Sequence, residues 1–128
     1  MLTEIRWHGR AGQGVITVSR LLAYSGLIEG KYVQAFPEFG PERLGAPMSG
    51  FTRISDEPID VHSQIYEPNF VVVLDSSLLK TVDVKRGLLP DGEMLLNTSA
   101  DPESFSAKLA MDPSKIHVVD ATKIALSV

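Results

Sequence analysis

At 128 residues, 44% apolar and 22% charged, the chain has the size and composition of one globular domain and excludes two full domains or a fibrous repeat. A net charge of −4, with no basic run longer than Lys85-Arg86, argues against nucleic acid as the main partner, and no stretch approaches the ~20 apolar residues that cross a bilayer. Cysteine is absent, which removes disulfides, thiolate zinc sites, cysteine nucleophiles and thiolate-held iron–sulfur clusters; with no signal peptide in the sequence, the expected compartment is the cytoplasm.

Thr3 to His8 carries Ile5 and Trp7 and runs into Gly9, Gly12 and Gly14, the pattern of a strand entering a turn. A helix from about Gly14 to Glu29 is predicted next, with Val15, Ile16, Val18, Leu21, Leu22, Ser25 and Ile28 on its buried face, Gly26 as an interruption and Gly30 as its stop. Lys31 to Phe36 reads as a second strand ended by Pro37. Pro37 to Ser49 follows neither strand nor helix period and carries three prolines, so a long shaped loop is expected, followed by a strand over Gly50 to Ile54. Phe70 to Leu74 is wholly apolar and stops at Asp75, which predicts a parallel-sheet strand covered on both faces. Glu93 to Asn97 and Ile116 to Val119 repeat that rhythm, with a short helix over Ser104 to Met111 and a last one over Ala121 to Val128. The alternation predicts an α/β fold, a layered Rossmann-like domain with a largely parallel sheet and flanking helices.

Two segments could carry recognition. In Gly9-Arg10-Ala11-Gly12-Gln13-Gly14, small residues at a helix start let backbone N–H groups converge on an anion. The spacing departs from the dinucleotide fingerprint and no lysine-serine or lysine-threonine follows, so nicotinamide, flavin and triphosphate sites are disfavoured. A tight packing turn accounts for the same residues as readily as an anion site. The second segment, Phe36 to Pro47, sets two aromatics, Glu38, Glu42 and Arg43 on a proline-stiffened backbone; Arg43 either presents its planar fork to a phosphate or carboxylate or pairs with a neighbouring glutamate. His8, His62 and His117 stand apart, without metal-site spacing, and Asp75 and Asp120 read as helix caps. No nucleophile elbow supports hydrolysis.

Taken in order, the Gly9 to Gly14 turn, Phe39-Gly40-Pro41-Glu42-Arg43-Leu44-Gly45-Ala46-Pro47, Phe51 to Ser55, Glu67 to Asp75 and Leu88 to Thr98 resemble the gamma subunit, or gamma domain, of 2-oxoacid:ferredoxin oxidoreductases. The Pro-Glu-Arg-x-Gly-Ala-Pro form is most similar to the pyruvate and branched-chain members. The resemblance implies a single gamma domain over residues 1–128, short of the C-terminal helical end of such chains. It also implies a subunit of an enzyme that converts a 2-oxoacid and coenzyme A to acyl-CoA and CO2 while reducing ferredoxin, not catalytic alone. Thiamine diphosphate, magnesium and the iron–sulfur clusters would lie on alpha, beta and delta-type partner subunits, and this chain would bind none of them alone. Gly12, Gln13, Gly14, Glu42 and Arg43 match the family pattern and are the expected contacts on the coenzyme A side, whereas Ala11 replaces the usual glycine and narrows the turn's freedom. The alternative from a different class is a stand-alone module that binds an anionic ligand at the glycine turn.

Overall fold

The computed structural model describes residues 1–38 and 45–128. Its elements are β1 (Leu2–Arg10), α1 (Val15–Ile28), β2 (Tyr32–Pro37), β3 (Pro47–Ser55), β4 (Phe70–Val73), β5 (Glu93–Asn97), α2 (Glu103–Leu109), β6 (Ile116–Val119) and α3 (Ala121–Leu126). All six strands form one sheet in the order β2-β3-β1-β4-β5-β6. The pairs β1–β4, β4–β5 and β5–β6 are parallel, as expected. β3 runs antiparallel to both β1 and β2, so the sheet is mixed at that flank.

The chain winds in two directions from β1. α1 packs on one face over β1, β3 and β2. On the opposite face, Leu109 of α2 joins Val71, Val73, Val84, Met94, Leu96 and Ile116 in the main core cluster. β1 and β4 are therefore the neighbours at which the winding reverses, and a crevice opens beyond their carboxyl ends.

Three sequence expectations change. The loop after β2 is shorter than predicted, because Pro47 already pairs with Arg10 and begins β3. β4 is covered fully on one face only: Val71 and Val73 are buried, whereas Phe70 is 40% exposed on the α1 face, where no described helix reaches it. On α1 the buried residues are the small ones, Val15, Ser19, Ala23 and Gly26, while Leu21, Tyr24 and Ile28 point outward. Close approach explains this choice, since a Cβ on Gly26 would stand 3.1 Å from Val33 and one on Gly50 would stand 3.2 Å from Val15. Gly26 is thus a contact point with the sheet.

A buried hydrogen-bond relay ties the three elements at this contact. Trp7 Nε1 donates to Thr52 Oγ1 at 2.9 Å, and Thr52 Oγ1 donates to the Ser19 carbonyl at 2.8 Å. Thr52 and Ser19 are fully buried, so neither group has water as a substitute. Thr52→Val keeps the shape and leaves the indole N–H unsatisfied; it should lower stability by about 1–3 kcal/mol, read as a lower urea midpoint at unchanged slope. An unchanged midpoint would contradict the relay.

Candidate functional site

The glycine turn lies at the carboxyl end of β1, on the crevice. Gly12 and Gly14 have φ of 94° and 82°, the left-handed region that glycine alone adopts freely. A Cβ on Gly9 would stand 2.5 Å from Val15 Cγ2, so this position needs glycine for packing. Ala11 is outside the left-handed region, so the alanine that departs from the family's glycine carries no backbone strain. Its N–H donates to the Ala46 carbonyl at 2.8 Å and its carbonyl accepts from Gly45 N at 3.2 Å. Those two bonds pull the end of the proline-rich loop onto the turn. Among the described residues, neither Gly12 N–H nor Gly14 N–H finds a protein acceptor.

The turn is braced across the crevice by Asp75, just past the end of β4. Arg10 Nε donates to Asp75 Oδ2 at 3.1 Å, and Gln13 Nε2 donates to the same oxygen at 3.0 Å. Arg10 also donates from Nη1 to the Gly45 carbonyl at 3.1 Å and from Nη2 to Ser77 Oγ at 3.0 Å. Gln13 Oε1 accepts from Arg10 N at 2.8 Å, so both ends of its amide are engaged within the protein. Asp75 does cap the following turn, with Oδ1 accepting from Ser77 N and Oγ. The Ser77 hydroxyl, Gln13, the Ser77 amide and Arg10 together hold its carboxyl down at about 2, so it is an anion at any physiological pH.

Gly12, Gln13 and Gly14 thus meet the flanks of the proline-rich loop at one place. Glu42 and Arg43 lie outside the described residues, between Glu38 and Gly45. Asp75 is the cap that the sequence predicts, but its bonds to Arg10 and Gln13 are not readable from the sequence; the available signal was a carboxylate ending a parallel strand beside the winding reversal. Asp120 is a cap as expected, accepting from Lys123 N at 2.9 Å.

A second polar group stands on the sheet face opposite α1. Arg6 is 8% exposed and donates from Nε to His8 Nε2 at 2.9 Å. Burial, reinforced by the Arg6 charge, pushes His8 down to about 4, so it is neutral and Nε2 is free to accept. The three histidines stay apart, His117 pairing with Glu93 at 2.7 Å, and among the described residues no group of three or more His, Asp or Glu is arranged to hold a metal.

The family model for pyruvate ferredoxin/flavodoxin oxidoreductase matches residues 4–128. The chain is 56% identical over 125 residues to the pyruvate/ketoisovalerate oxidoreductases common subunit gamma of Pyrococcus abyssi, covering 98% of this chain and 68% of that one. It is 52% identical over 125 residues to pyruvate synthase subunit PorC of Methanothermobacter marburgensis, covering 98% of this chain and 67% of the relative. The crystal structure of pyruvate oxidoreductase subunit PORC from Thermotoga maritima superposes with a TM-score of 0.85 at 49% identity, covering 98% of this chain and 66% of that chain. The chain therefore spans about two thirds of the length of these relatives.

The two shifted groups set a pH dependence of one sign. An unfolded histidine takes up a proton near pH 6.5, but His8 in the fold does so only near 4, so stability falls as pH drops through that window. Asp75 adds a further loss as pH falls from 3.8 through about 2. His8→Gln, whose amide oxygen can accept from Arg6, should remove the loss in the higher window, seen in urea midpoints measured against pH. A His8 ring that titrates near 6.5 by NMR in the folded chain would contradict this.

Proposed function

The chain belongs to the pyruvate ferredoxin/flavodoxin oxidoreductase family, and from that premise we propose that it is the gamma subunit of a cytoplasmic 2-oxoacid:ferredoxin oxidoreductase, forming part of the coenzyme A side of its active site. The reaction breaks the bond between the 2-oxo carbon and the carboxylate, joins the acyl group to the coenzyme A sulfur as acyl-CoA, and releases CO2 and the thiol proton while two electrons pass to ferredoxin. The observation that carries the reading is the crevice: a glycine turn with two undirected N–H groups, held by Asp75 beside the ends of the loop that contains Arg43.

Each component has a role in that reading. The amides of Gly12 and Gly14, at the N-terminus of α1, offer donors and a partial positive charge to a phosphate of coenzyme A. Arg43 and Glu42, on the loop anchored at Gly45 and Ala46, complete the contact, Arg43 as a planar cationic fork. Gln13 acts indirectly, by fixing the turn to Asp75. Arg10, neutralised by Asp75, positions the loop and leaves the crevice without a free negative charge from that aspartate.

Partner subunits of alpha, beta and delta type supply the thiamine diphosphate, magnesium and iron–sulfur clusters in this reading; a chain with no cysteine offers no thiolate for a cluster. The outward apolar stripe of Leu21, Tyr24 and Ile28, each at least 60% exposed on consecutive turns of α1, supports contact with another subunit. The gamma relative from Pyrococcus abyssi is named as common to pyruvate and ketoisovalerate enzymes. A shared subunit cannot hold the contacts that distinguish those two acids, so we place the choice of 2-oxoacid on the partners.

The test is a complex reconstituted from this chain and its partner subunits. Arg43→Ala should raise the KM for coenzyme A about tenfold, as expected for one lost charge-assisted contact, while the KM for the 2-oxoacid stays nearly constant. An unchanged KM for coenzyme A removes Arg43 from the site. Failure to assemble with thiamine- and iron-containing subunits, together with micromolar anion binding by the chain alone, would favour the stand-alone module.

A further inference from the structure

On the sheet face opposite α1, a cavity of about 350 Å³ opens over Arg6, His8, Phe51 and Ile65. It lies on the other side of the sheet from the helix that the glycine turn begins. Two buried arginines project from this face, and they are treated differently. Arg53, 1% exposed, has its counter-ion: Nε donates to Glu4 Oε2 at 2.7 Å, and the rest of the guanidinium reaches Gln34 Oε1 and the Gln64 carbonyl. Arg6, 8% exposed, has no carboxylate within 4.0 Å among the described residues.

The hydrogen bonds of Arg6 show where its open side lies. Nε donates to His8 Nε2, and Nη2 donates to the carbonyls of Val84 and Arg86. Among the described residues, Nη1 finds no acceptor. No buried side-chain nitrogen among the described residues lacks a partner, so Nη1 reaches open space, and the open space that Arg6 lines is the cavity. Burial lowers the basicity of Arg6, so a negative charge accepted at Nη1 would offset part of that desolvation.

We propose that this cavity binds a short-chain monocarboxylate, one oxygen of which accepts from Nη1 of Arg6. The floor supplies the rest of the specificity: Phe51 and Ile65 are buried apolar groups suited to a short hydrocarbon body. The charged groups facing the cavity are Arg6 and Arg86 against Glu38 and Asp83, with His8 neutral, so the lining is balanced before a ligand enters. A single negative charge beside Arg6 is compatible with that balance. A phosphate dianion is opposed by Glu38 and Asp83 at the rim. The Ser49 hydroxyl, 3.5 Å from His8 Nδ1, stands near enough to the same space to serve as a second donor.

NMR titrations of the purified chain with isobutyrate, its neutral isostere isobutyramide and inorganic phosphate test the site. Isobutyrate should give saturable shifts at the Arg6 Nε and His8 ring signals, with a Kd about tenfold or more below those of the amide and of phosphate. The double variant Glu38→Gln/Asp83→Asn changes only exposed rim residues and should bind isobutyrate more tightly by a few-fold. Equal affinity for carboxylate and amide, tighter phosphate binding, shifts confined to other regions, no saturable shift, or a double variant that binds no better each overturn the proposal.

Discussion

The structure depends on how the chain handles the reversal of winding between β1 and β4. Helical cover leaves on opposite faces there, so the turns after the two strands diverge and neither can close the space between them. Asp75 spans that space. A single carboxylate oxygen accepts from Arg10 and Gln13, which sit on the turn after β1, while the other oxygen caps the turn after β4. Once Arg10 is fixed, its second nitrogen holds the Gly45 carbonyl, and the two bonds of Ala11 complete the attachment of the loop. Three separate segments are therefore made into one edge by a partly exposed ion pair and its hydrogen bonds.

The two faces of the sheet are specialised in different ways. Under α1 the packing is close, with glycine and serine at the contact and a Trp7–Thr52–Ser19 relay where larger side chains would not fit. Val18 and Leu22 pack beside Ile5 and Trp7, while Leu21, Tyr24 and Ile28 face outward, which suits a subunit more than an isolated protein. The opposite face is apolar under α2 but polar under β1 and β3, where Arg53 is fully paired and Arg6 is not. The two candidate sites thus lie apart on the sheet, the crevice at its carboxyl edge and the cavity on its polar face.

Much of this was legible in the residues. The apolar run ending at Asp75, the repeated strands near Glu93 and Ile116 and the glycines after β1 each follow from short-range rules, and they place the parallel half of the sheet and the turn. The ordered motifs carried the family. What was not legible depended on distance. Helical period identifies a face of α1, yet which face is buried was decided by how near Gly26 and Gly50 let the helix approach. Arg6 and His8 gave no sign in the sequence of a polar sheet face, because Gln64 and Ile65, which line the same cavity, are nearly sixty positions away. Asp75 read as a cap, which it is, and its second oxygen could be assigned only after the topology put Arg10 and Gln13 beside it.

The most direct measurement is amide hydrogen exchange in the Asp75→Asn variant compared with the native chain. Neither Ala11 N–H nor Gly45 N–H touches Asp75, yet both are held by bonds that the clamp is meant to keep in place. If Asp75 organises this edge, both amides should exchange about tenfold faster or more in the variant, while those of Val71 and Val73 within the sheet keep their protection. Unchanged exchange at Ala11 and Gly45 would contradict the account, because turn and loop would then be held together without the charge at the end of β4.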